Sequence, residues 1–246
     1  MISENLVSQN YSHGGLLEAI KAALIQQGNS MDRLTLEDLS PVDEFHVGGR
    51  VATEHLLFQI NFTANQDVLD VGCGLGGTAR YTAKKFNNRV TGIDLSAEYI
   101  ETGKHLCQWV GLDKQVTLYH GSGLSMPFED KNFDGATMFH VGMNVQDKAG
   151  LFNEVYRVLK PASTFVIYDI MRVGSGELIY PLPWATDVNC SYLSTLDEYQ
   201  LALTQADFSV RHVNNRRDFS LNFLTQLTHR NLTKGQILGG SGSKGN

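Results

Sequence analysis

The amino-acid sequence predicts an α/β fold, a doubly wound and mostly parallel sheet. Between residues 67 and 170, short apolar segments alternate with amphipathic segments of about 10–15 residues, which is typical of βαβ units. A glycine-rich turn follows the first apolar segment, Asp67–Val71, at the position where such sheets bind ligands. A chain of 246 residues with 42% hydrophobic residues is large enough for one such core.

The sequence pattern of the N-terminal part predicts helices that precede the sheet. Apolar residues recur at helical spacing in Gly15–Gln27, and a second helix is expected from Gly48. The segment between them, Asp32–Glu44, is acidic and contains Pro41, which favours a loop. We therefore expect residues 1–60 to form a helical lid.

Strands and helices then follow in turn. The predicted strands are Asp67–Val71, Arg89–Asp94, Gln115–His120, Phe133–Phe139 and Ser163–Ile170. The predicted helices between them are Gly76–Phe86, Ala97–Val110 and Lys148–Leu159. Ser96 is a suitable N-cap for the second of these helices, and Pro161 is expected to end the third.

Beyond this core the pattern is less regular. Met171–Ser194 has no clear period and is expected to cover a substrate site. Further elements are expected at Thr195–Ala206 (helix), Phe208–Val213 (strand) and Asp218–His229 (helix). The final strand of the sheet is either missing or hidden near Gln236–Leu238. We expect one domain over residues 1–235, with a core at 61–170, the cover at 171–194 and a flexible tail at 236–246.

Composition narrows the classes of function. A net charge of −6 does not favour nucleic acid or an anionic membrane as partner. Three cysteines are too few for a disulfide framework or a zinc cluster, and we expect no metal. The N-terminus lacks the pattern of a signal peptide, and no apolar run approaches the roughly 18 residues that span a bilayer. A cytoplasmic location is therefore expected, while the oligomeric state is left open.

The glycine-rich turn is the main candidate for cofactor binding. An acidic residue precedes glycines at alternate positions, in the order Asp70, Gly72, Cys73, Gly74, Gly76, Gly77. Glycine lets the backbone turn sharply and approach a ligand closely, and the following helix directs its N–H groups at an anion. This spacing also occurs in dinucleotide enzymes. Asp70 would repel a pyrophosphate but suits a cofactor that carries an ammonium and a sulfonium. Asp94 ends the next strand, where a carboxylate can bind ribose hydroxyls.

With these residues the sequence resembles the class I S-adenosylmethionine (SAM)-dependent methyltransferases, of the ubiquinone-biosynthesis-like small-molecule group, which have a Rossmann-like fold. The resemblance extends from Asp67 to Val213. It implies that the glycine turn holds SAM and that Asp94 and the adjacent Leu95 contact its adenosine. Gly121–Phe128 matches a further family motif, which adds Ser122 and Gly123 to the cofactor site.

The N-terminal part is similar to the lid of sarcosine/dimethylglycine and phosphobase N-methyltransferases. The matching segments are Tyr11–Gly15 and Phe45–Gly49. The resemblance implies that Tyr11 closes over the methyl donor and that Gly48 and Gly49 lie against it. An amine acceptor, such as a glycine derivative, is therefore favoured. The alternative for Tyr11 is a surface aromatic residue near a frayed terminus.

Candidates for the acceptor side lie at the same edge of the sheet. His140 ends the fourth strand and is a candidate both for cofactor contact and for accepting a proton, although it equally suits a structural role. Asn144 follows it, and the irregular cover offers further polar and aromatic side chains: Arg172, Trp184 and Tyr192.

The sequence therefore predicts methyl transfer from SAM to a small molecule. Three alternatives remain open at this point. One is a non-catalytic module that binds SAM or S-adenosylhomocysteine (SAH). Another is a C- or O-methyltransferase acting on a quinone or natural-product precursor. The third is an NAD-dependent oxidoreductase, against which Asp70 argues.

Overall fold

The sheet of the computed structural model has five parallel strands, and the structure describes residues 2–11, 14–60 and 62–226. The strands are β1 (Asp67–Val71), β2 (Arg89–Asp94), β3 (Val116–His120), β4 (Phe133–Phe139) and β5 (Leu159–Tyr168). They lie in the order β3-β2-β1-β4-β5, so the chain winds outward from β1 in both directions. This confirms the predicted doubly wound parallel sheet.

Strand β5 begins earlier than predicted and includes Pro161. It pairs with β4 on one side, in a register that shifts between Phe133 and Gly135. Among the described strands β5 lies at the edge of the sheet, where proline is tolerated because one side of the strand needs no ladder hydrogen bonds. Pro161 therefore lies inside a strand, whereas the sequence suggested that it would only end the preceding helix.

Four helices precede the sheet: α1 (Ile2–Asn10), α2 (Leu16–Gln26), α3 (Leu36–Asp43) and α4 (Gly49–Leu57). The predicted loop at Asp32–Glu44 is wrong, because α3 occupies most of it. The side chains of Thr35 and Asp38 form a capping box at its N-terminus, which supplies hydrogen bonds to two otherwise unpaired backbone N–H groups. Pro41 lies inside this short helix and removes only one intrahelical bond.

Helices cover both faces of the sheet. These are α5 (Gly77–Phe86), α6 (Ala97–Trp109), α7 (Lys148–Val158) and α8 (Leu196–Gln205). Alternate residues of β1 face opposite clusters: Val68 packs with α5 and α6, whereas Leu69 and Val71 pack with α7 and α8. This alternation follows from the period of two in a strand. Ser96 caps α6 as predicted, accepting a hydrogen bond from the N–H of Tyr99.

The C-terminal part differs from the prediction in one element. Phe208–Val213 is irregular, so the predicted strand is wrong. The ring of Phe208 packs 5.3 Å from Tyr156 and 5.4 Å from Phe165, and these aromatic contacts hold the segment without backbone pairing. A last described helix, α9, occupies residues 217–226. The rest of the predicted Asp218–His229 helix, the Gln236–Leu238 strand and the tail lie outside the described residues.

The residues 171–194 contain one short 3-10 turn, Val188–Cys190, and otherwise no regular element, in line with the irregular cover predicted for Met171–Ser194. Cys73, Cys107 and Cys190 are buried free thiols. In the described part of the chain, every helix is too short or too polar to cross a lipid bilayer.

Candidate active site

The glycine turn between β1 and α5 is held by hydrogen bonds from the next strand. The carbonyl of Ile93 in β2 accepts from the N–H groups of Gly72, at 2.8 Å, and Cys73, at 3.1 Å. Gly72, Gly74 and Gly76 have φ values of 66°, 54° and 82°, a backbone conformation that other residues adopt only with strain. A Cβ atom on Gly72 would also collide with Val141. The turn therefore requires glycine for both conformation and space.

Asp70 is buried beside this turn, with 2% of its surface exposed. Its Oδ1 accepts a hydrogen bond of 2.8 Å from the hydroxyl of Thr137, while no hydrogen bond of normal geometry reaches Oδ2 from the described residues. The N–H of Ala79 lies near the carboxylate and favours its ionised form. Burial raises the pKa of Asp70 to about 7, and the carboxylates of Asp94 and Glu44 act in the same direction. A buried carboxylate oxygen that receives no hydrogen bond of normal geometry is a suitable site for a cationic group of a ligand.

Asp94 connects the glycine turn to the start of α6. Its carboxylate accepts hydrogen bonds from the N–H groups of Gly74, at 2.9 Å, and Ser96, at 2.8 Å. Burial raises the pKa of Asp94, and these two N–H groups offset part of the rise. A carboxylate has about four lone-pair positions, so two accepted bonds leave room for ribose hydroxyls. The ribose contact of Asp94 stays a prediction.

Helix α1 and Tyr11 lie across this edge of the sheet. The hydroxyl of Tyr11 is 3.1 Å from Oδ1 of Asn144 and 3.4 Å from the carbonyl of Trp184. The ring of Tyr11 makes an edge-to-face contact with Tyr99 at 5.9 Å. Burial raises the pKa of Tyr11 above its usual range, so the phenol is neutral. These contacts favour the lid position over a surface position for Tyr11.

The same helix contacts the region assigned to adenosine. Ser8 Oγ donates to the carbonyl of Leu95 at 3.1 Å, and Ser122 Oγ donates to the carboxylate of Glu4. Ser122 also accepts from the N–H of Leu124. A Cβ atom on Gly123 would meet Leu151, so this position is also tightly packed. Helix α1 therefore covers the residues that the sequence assigned to the cofactor.

The Gly48–Gly49 turn has different neighbours. Gly48 has φ 94°, and a Cβ atom there would collide with the ring of Phe219 in α9. The residues that lie against the glycine turn are Asp43 and Glu44, a few positions before Gly48. Their atoms would collide with a Cβ atom on Gly77. Contact of Gly48 and Gly49 with a cofactor stays a prediction, and Asp43 and Glu44 are neighbours of the turn that the sequence did not single out.

His140 lies in a buried aromatic cluster at the end of β4. Its ring centroid is 4.9 Å from that of Tyr168 and 6.0 Å from that of His46, and its φ of 55° is unusual for a residue other than glycine. Burial lowers the pKa of His140 to about 3, and His46 adds to this shift. The ring is therefore neutral and a weak base. Its three predicted roles, cofactor contact, proton acceptor and structural residue, all stay predictions.

His46 is a buried histidine beside His140, to which the sequence assigned no role. Its Nε2 lies 3.1 Å from the carbonyl of Gly49 and 3.0 Å from Oγ1 of Thr53. Burial lowers the pKa of His46 to about 4. The pattern Phe45–Gly49 pointed to this segment, but nothing in it indicates that the imidazole is buried.

The residues predicted to bind the methyl acceptor form hydrogen bonds with one another and with the cover. Asn144 Nδ2 donates to the carbonyls of Trp184, at 2.9 Å, and Cys190, at 2.8 Å. Arg172 donates to the carbonyls of Gly174 and Gly176. Asn144 thus braces the cover against β4, and its contact with a substrate stays a prediction.

Trp184 and Tyr192, the other two candidates for binding the methyl acceptor, also form hydrogen bonds within the protein. The indole N–H of Trp184 donates to Ser191 Oγ at 3.2 Å. The hydroxyl of Tyr192 donates to the carbonyl of Asn189 at 2.8 Å, and its backbone N–H donates to Met143. Substrate contacts of Arg172, Trp184 and Tyr192 also stay predictions, because their polar groups bind within the cover.

Asp169 directly follows β5 at the same edge of the sheet. Its Oδ2 accepts a hydrogen bond of 2.7 Å from the hydroxyl of Tyr199. Burial raises the pKa of Asp169 to about 6. Tyr199 lies on α8 and was predicted only as part of a helix, so this contact could not be read from spacing. The carboxyl ends of three strands thus carry the carboxylates Asp70, Asp94 and Asp169.

Two cavities lie apart from the glycine turn. A cavity of about 460 Å³ lies between α4 and α9, lined in part by His55, Arg216 and Phe219. A second, of about 280 Å³, is lined in part by Gln59 and Thr164. In the described ranges, no group of histidine, cysteine and acidic side chains has the arrangement of a metal site.

Residues 69–167 match the family model described as a methyltransferase domain. This segment of the chain is therefore similar to methyltransferase domains. It contains the glycine turn, Asp70, Asp94 and His140, whereas Tyr11 and the cover lie outside it. The predicted resemblance to the SAM-dependent methyltransferases is confirmed over this segment.

Curated relatives of the domain include sterol methyltransferases. The chain is 37% identical over 117 residues to cycloartenol-C-24-methyltransferase of Arabidopsis thaliana, covering 47% of this chain and 35% of that protein. It is 33% identical over 138 residues to a sterol 24-C-methyltransferase of Neurospora crassa, covering 56% and 36%. The chain thus matches about a third of the length of these curated relatives.

Solved structures share the fold of the methyltransferase domain. A phosphoethanolamine N-methyltransferase of Haemonchus contortus, solved with S-adenosyl-L-methionine, has a TM-score of 0.72 at 24% identity, over 82% of this chain and 47% of that chain. A geranyl diphosphate C-methyltransferase of Streptomyces coelicolor has a TM-score of 0.55 at 24% identity, over 63% and 58%. The likeness to the first structure extends beyond the methyltransferase domain into flanking parts of this chain.

Proposed function

We propose that this protein transfers a methyl group from SAM to a small-molecule acceptor. The observation that carries the proposal is the buried Oδ2 of Asp70, which receives no hydrogen bond of normal geometry from the described residues and lies beside the glycine turn of a segment similar to methyltransferase domains. SAM fits this position because it carries an ammonium and a sulfonium. When bound, it supplies an activated methyl group.

Each part of the site has a separate task in this proposal. Asp70 binds the ammonium of the methionine part, and the N-terminus of α5 binds its carboxylate. The carboxylate of Asp94 accepts hydrogen bonds from the ribose hydroxyls. Tyr11 and α1 exclude water, which matters because methyl transfer depends mainly on alignment and desolvation of the two reactants.

For the acceptor we propose an amine, such as a glycine derivative. Burial is the main cause of the raised pKa of the Tyr11 phenol, and the nearby carboxylates of Asp94 and Asp169 add to it, so acidic groups lie close to the lid. Aromatic rings and negative charge together favour an alkylated amine. His140 is neutral, so proton removal by this residue is limited to acceptors that lose a proton easily.

A carbon acceptor is the second candidate, because the curated relatives are named as sterol methyltransferases. Such a reaction needs an apolar acceptor and no ionised amine. The two candidates therefore differ in the chemical class of the compound that must enter the site.

The test is turnover of methyl-labelled SAM by the purified protein. Sarcosine and phosphoethanolamine represent amines, a sterol with an unsaturated side chain represents carbon acceptors, and a catechol represents oxygen acceptors. Labelled sarcosine or phosphoethanolamine with stoichiometric SAH would support the proposal. SAH binding without turnover on all classes would favour a non-catalytic module, and binding of NADH in preference to SAH would contradict the proposal.

The proposal includes the organisation of the chain. Residues 1–60 act as the lid, 61–170 as the SAM-binding core and 171–194 as the cover, within a single domain over residues 1–235. A cytoplasmic location is consistent with three free cysteines, since disulfides are rare in reducing compartments.

A further inference from the structure

Arg80 is a fully buried arginine in the second turn of α5, directly behind the glycine turn. Its Nη1 donates to the carbonyl of Leu75 at 2.7 Å, and the carbonyl of Gly103 and the sulfur of Cys107 lie within 3.4 Å of the same nitrogen. Its Nη2 donates to Oδ2 of Asp43 at 2.6 Å. One side chain thus connects the glycine turn, α6 and α3.

The contact with Leu75 sets the direction of one peptide group in the turn. Leu75 lies between Gly74 and Gly76, both of which have positive φ and can rotate freely in the absence of other constraints. The N–H of this peptide group, on Gly76, donates to the carbonyl of Cys73 at 2.8 Å. Arg80 binds the carbonyl of the same peptide group from the opposite end, so the peptide is held against the interface between α5 and α6. A turn whose peptides are already oriented loses less conformational entropy when a ligand binds.

Asp43 holds the guanidinium in place from the N-terminal helical segment. Both side chains are 0% exposed, and Asp43 is the last residue of α3. The backbone carbonyl of Asp43 also packs against Gly77 so closely that a Cβ atom there would collide with it. The segment before the methyltransferase domain therefore contacts the glycine turn through both its backbone and its charge.

Stability alone is a poor explanation for this ion pair. A buried ion pair often stabilises a protein no more than apolar side chains of the same volume would. Here Asp43 Oδ1 and Arg80 Nε also have no hydrogen-bond partner among the described residues, which adds a desolvation cost. The pair is therefore better explained by what it holds in position.

We propose that Arg80 is a positioning residue for the methyl donor: held by Asp43, it orients the Leu75 peptide and so prepares the glycine turn for SAM. The inference rests on the proposed function for the identity of the ligand. Arg80 is not a catalytic residue in this inference, because it lies behind the glycine turn and acts on the ligand only by orienting that turn.

The test compares Arg80→Lys and the double variant Arg80→Met/Asp43→Leu with the wild type. The double variant replaces the ion pair by apolar side chains and so removes the hydrogen bond to Leu75 without leaving a buried charge. Arg89→Lys is the matched control, because Arg89 forms an exposed ion pair of 2.7 Å with Asp67 outside the turn. The readouts are the thermal midpoint, the SAH dissociation constant by calorimetry, and amide hydrogen exchange at Leu75–Gly77 without ligand.

We expect both Arg80 variants to bind SAH at least 10-fold more weakly and to exchange the Leu75–Gly77 amides faster, while Arg89→Lys matches the wild type. The double variant is expected to keep a thermal midpoint near that of the wild type. SAH binding within twofold of wild type, with unchanged exchange, in either Arg80 variant would overturn the inference. If the double variant does not fold, Arg80→Lys decides.

If the proposed function is wrong, the binding measurement gives a different result. In that case the wild type itself would not bind SAH. The exchange measurement uses unliganded protein, so it still reports whether Arg80 orders the turn.

Discussion

The hydroxyl of Tyr11 donates a hydrogen bond of 3.1 Å to Oδ1 of Asn144, which lies 133 residues further along the chain. Asn144 uses its amide N–H groups to bind two carbonyls of the cover, those of Trp184 and Cys190. One asparagine, in the 3-10 turn that follows β4, therefore joins the lid and the cover. The first prediction follows from this contact.

Replacing Tyr11 by phenylalanine removes the hydrogen bond and leaves the ring contact with Tyr99 in place. A typical hydrogen bond contributes about 0.5–1.5 kcal/mol, so we expect SAH to bind about 2- to 12-fold more weakly. The measurement is calorimetric titration with SAH. Tyr192→Phe is the control, since its hydroxyl binds Asn189 within the cover; an equal loss in both variants would show that the lid contact has no special role.

The glycine turn can be tested with two glycines of similar conformation. Gly72 has φ 66° and Gly111 has φ 69°, but a Cβ atom would collide with Val141 only at Gly72. Gly111→Ala should lower the free energy of unfolding by about 1–2 kcal/mol, the cost of the left-handed conformation. Gly72→Ala should lower it by about 1–3 kcal/mol more and abolish SAH binding. Urea unfolding and calorimetry provide both values, and equal destabilisation would contradict the collision.

The pKa of Asp70, about 7 in the free protein, predicts a pH dependence of donor binding. A cationic ligand favours the ionised carboxylate and so lowers the pKa of Asp70 in the complex. SAM affinity should therefore rise as the pH increases toward about 7 and level off above it, with proton release on binding near neutral pH. Calorimetry in buffers of different ionisation enthalpy measures that release.

Asp70→Asn is the matched variant for this measurement, because an amide oxygen can still accept the hydrogen bond from Thr137. Glu44 and Asp94 also lie near Asp70, and their pKa values are raised by burial. They are unchanged in the variant, so the difference between the two proteins isolates Asp70. Identical proton release in both proteins would refute the assignment.

The buried His46 predicts acid sensitivity of the fold. Its pKa is about 4 in the folded protein, against about 6.5 for an unperturbed histidine. The unfolded chain thus binds the proton first as the pH falls, and His46 should remove about 2 kcal/mol of stability between pH 7 and pH 5. This stability is present above pH 6.5 and is lost toward pH 4.

His46→Gln keeps an amide donor near the position of Nε2 and removes the titration. Between pH 7 and pH 5 we expect the variant to lose about 2 kcal/mol less stability than the wild type, and this difference between the two curves is the contribution of His46. Asp70 and Asp169 have raised pKa values and act in the opposite direction, but they are present in both proteins. Parallel curves for wild type and variant would show that the pKa of His46 is the same in the folded and unfolded states, which would contradict the prediction.

Much of the sheet could be predicted from the sequence. The bounds of β1, β2 and β4 are as expected, because each is an apolar run flanked by polar or glycine residues. The errors come from interactions that periodicity does not record. The capping box at Thr35 outweighs Pro41, and aromatic packing replaces the strand expected at Phe208–Val213.

The site could be predicted only in part, for a similar reason. Asp70 and the glycines are adjacent in sequence, so their pattern identifies them. The ion pair of Asp43 and Arg80 spans 37 residues, and the contact of Tyr11 with Asn144 spans 133. Such pairs depend on how elements pack, and a single sequence carries no direct signal for them.

The position of α1 has a consequence for the order of events in a catalytic cycle. This one helix binds the cofactor side through Ser8 and Glu4, and the residue that follows it, Tyr11, binds the acceptor side. Under the proposed function, this one helix therefore covers both the donor side and the acceptor side. A single movement of the helix would then uncover both sides at once and couple the exchange of the two molecules.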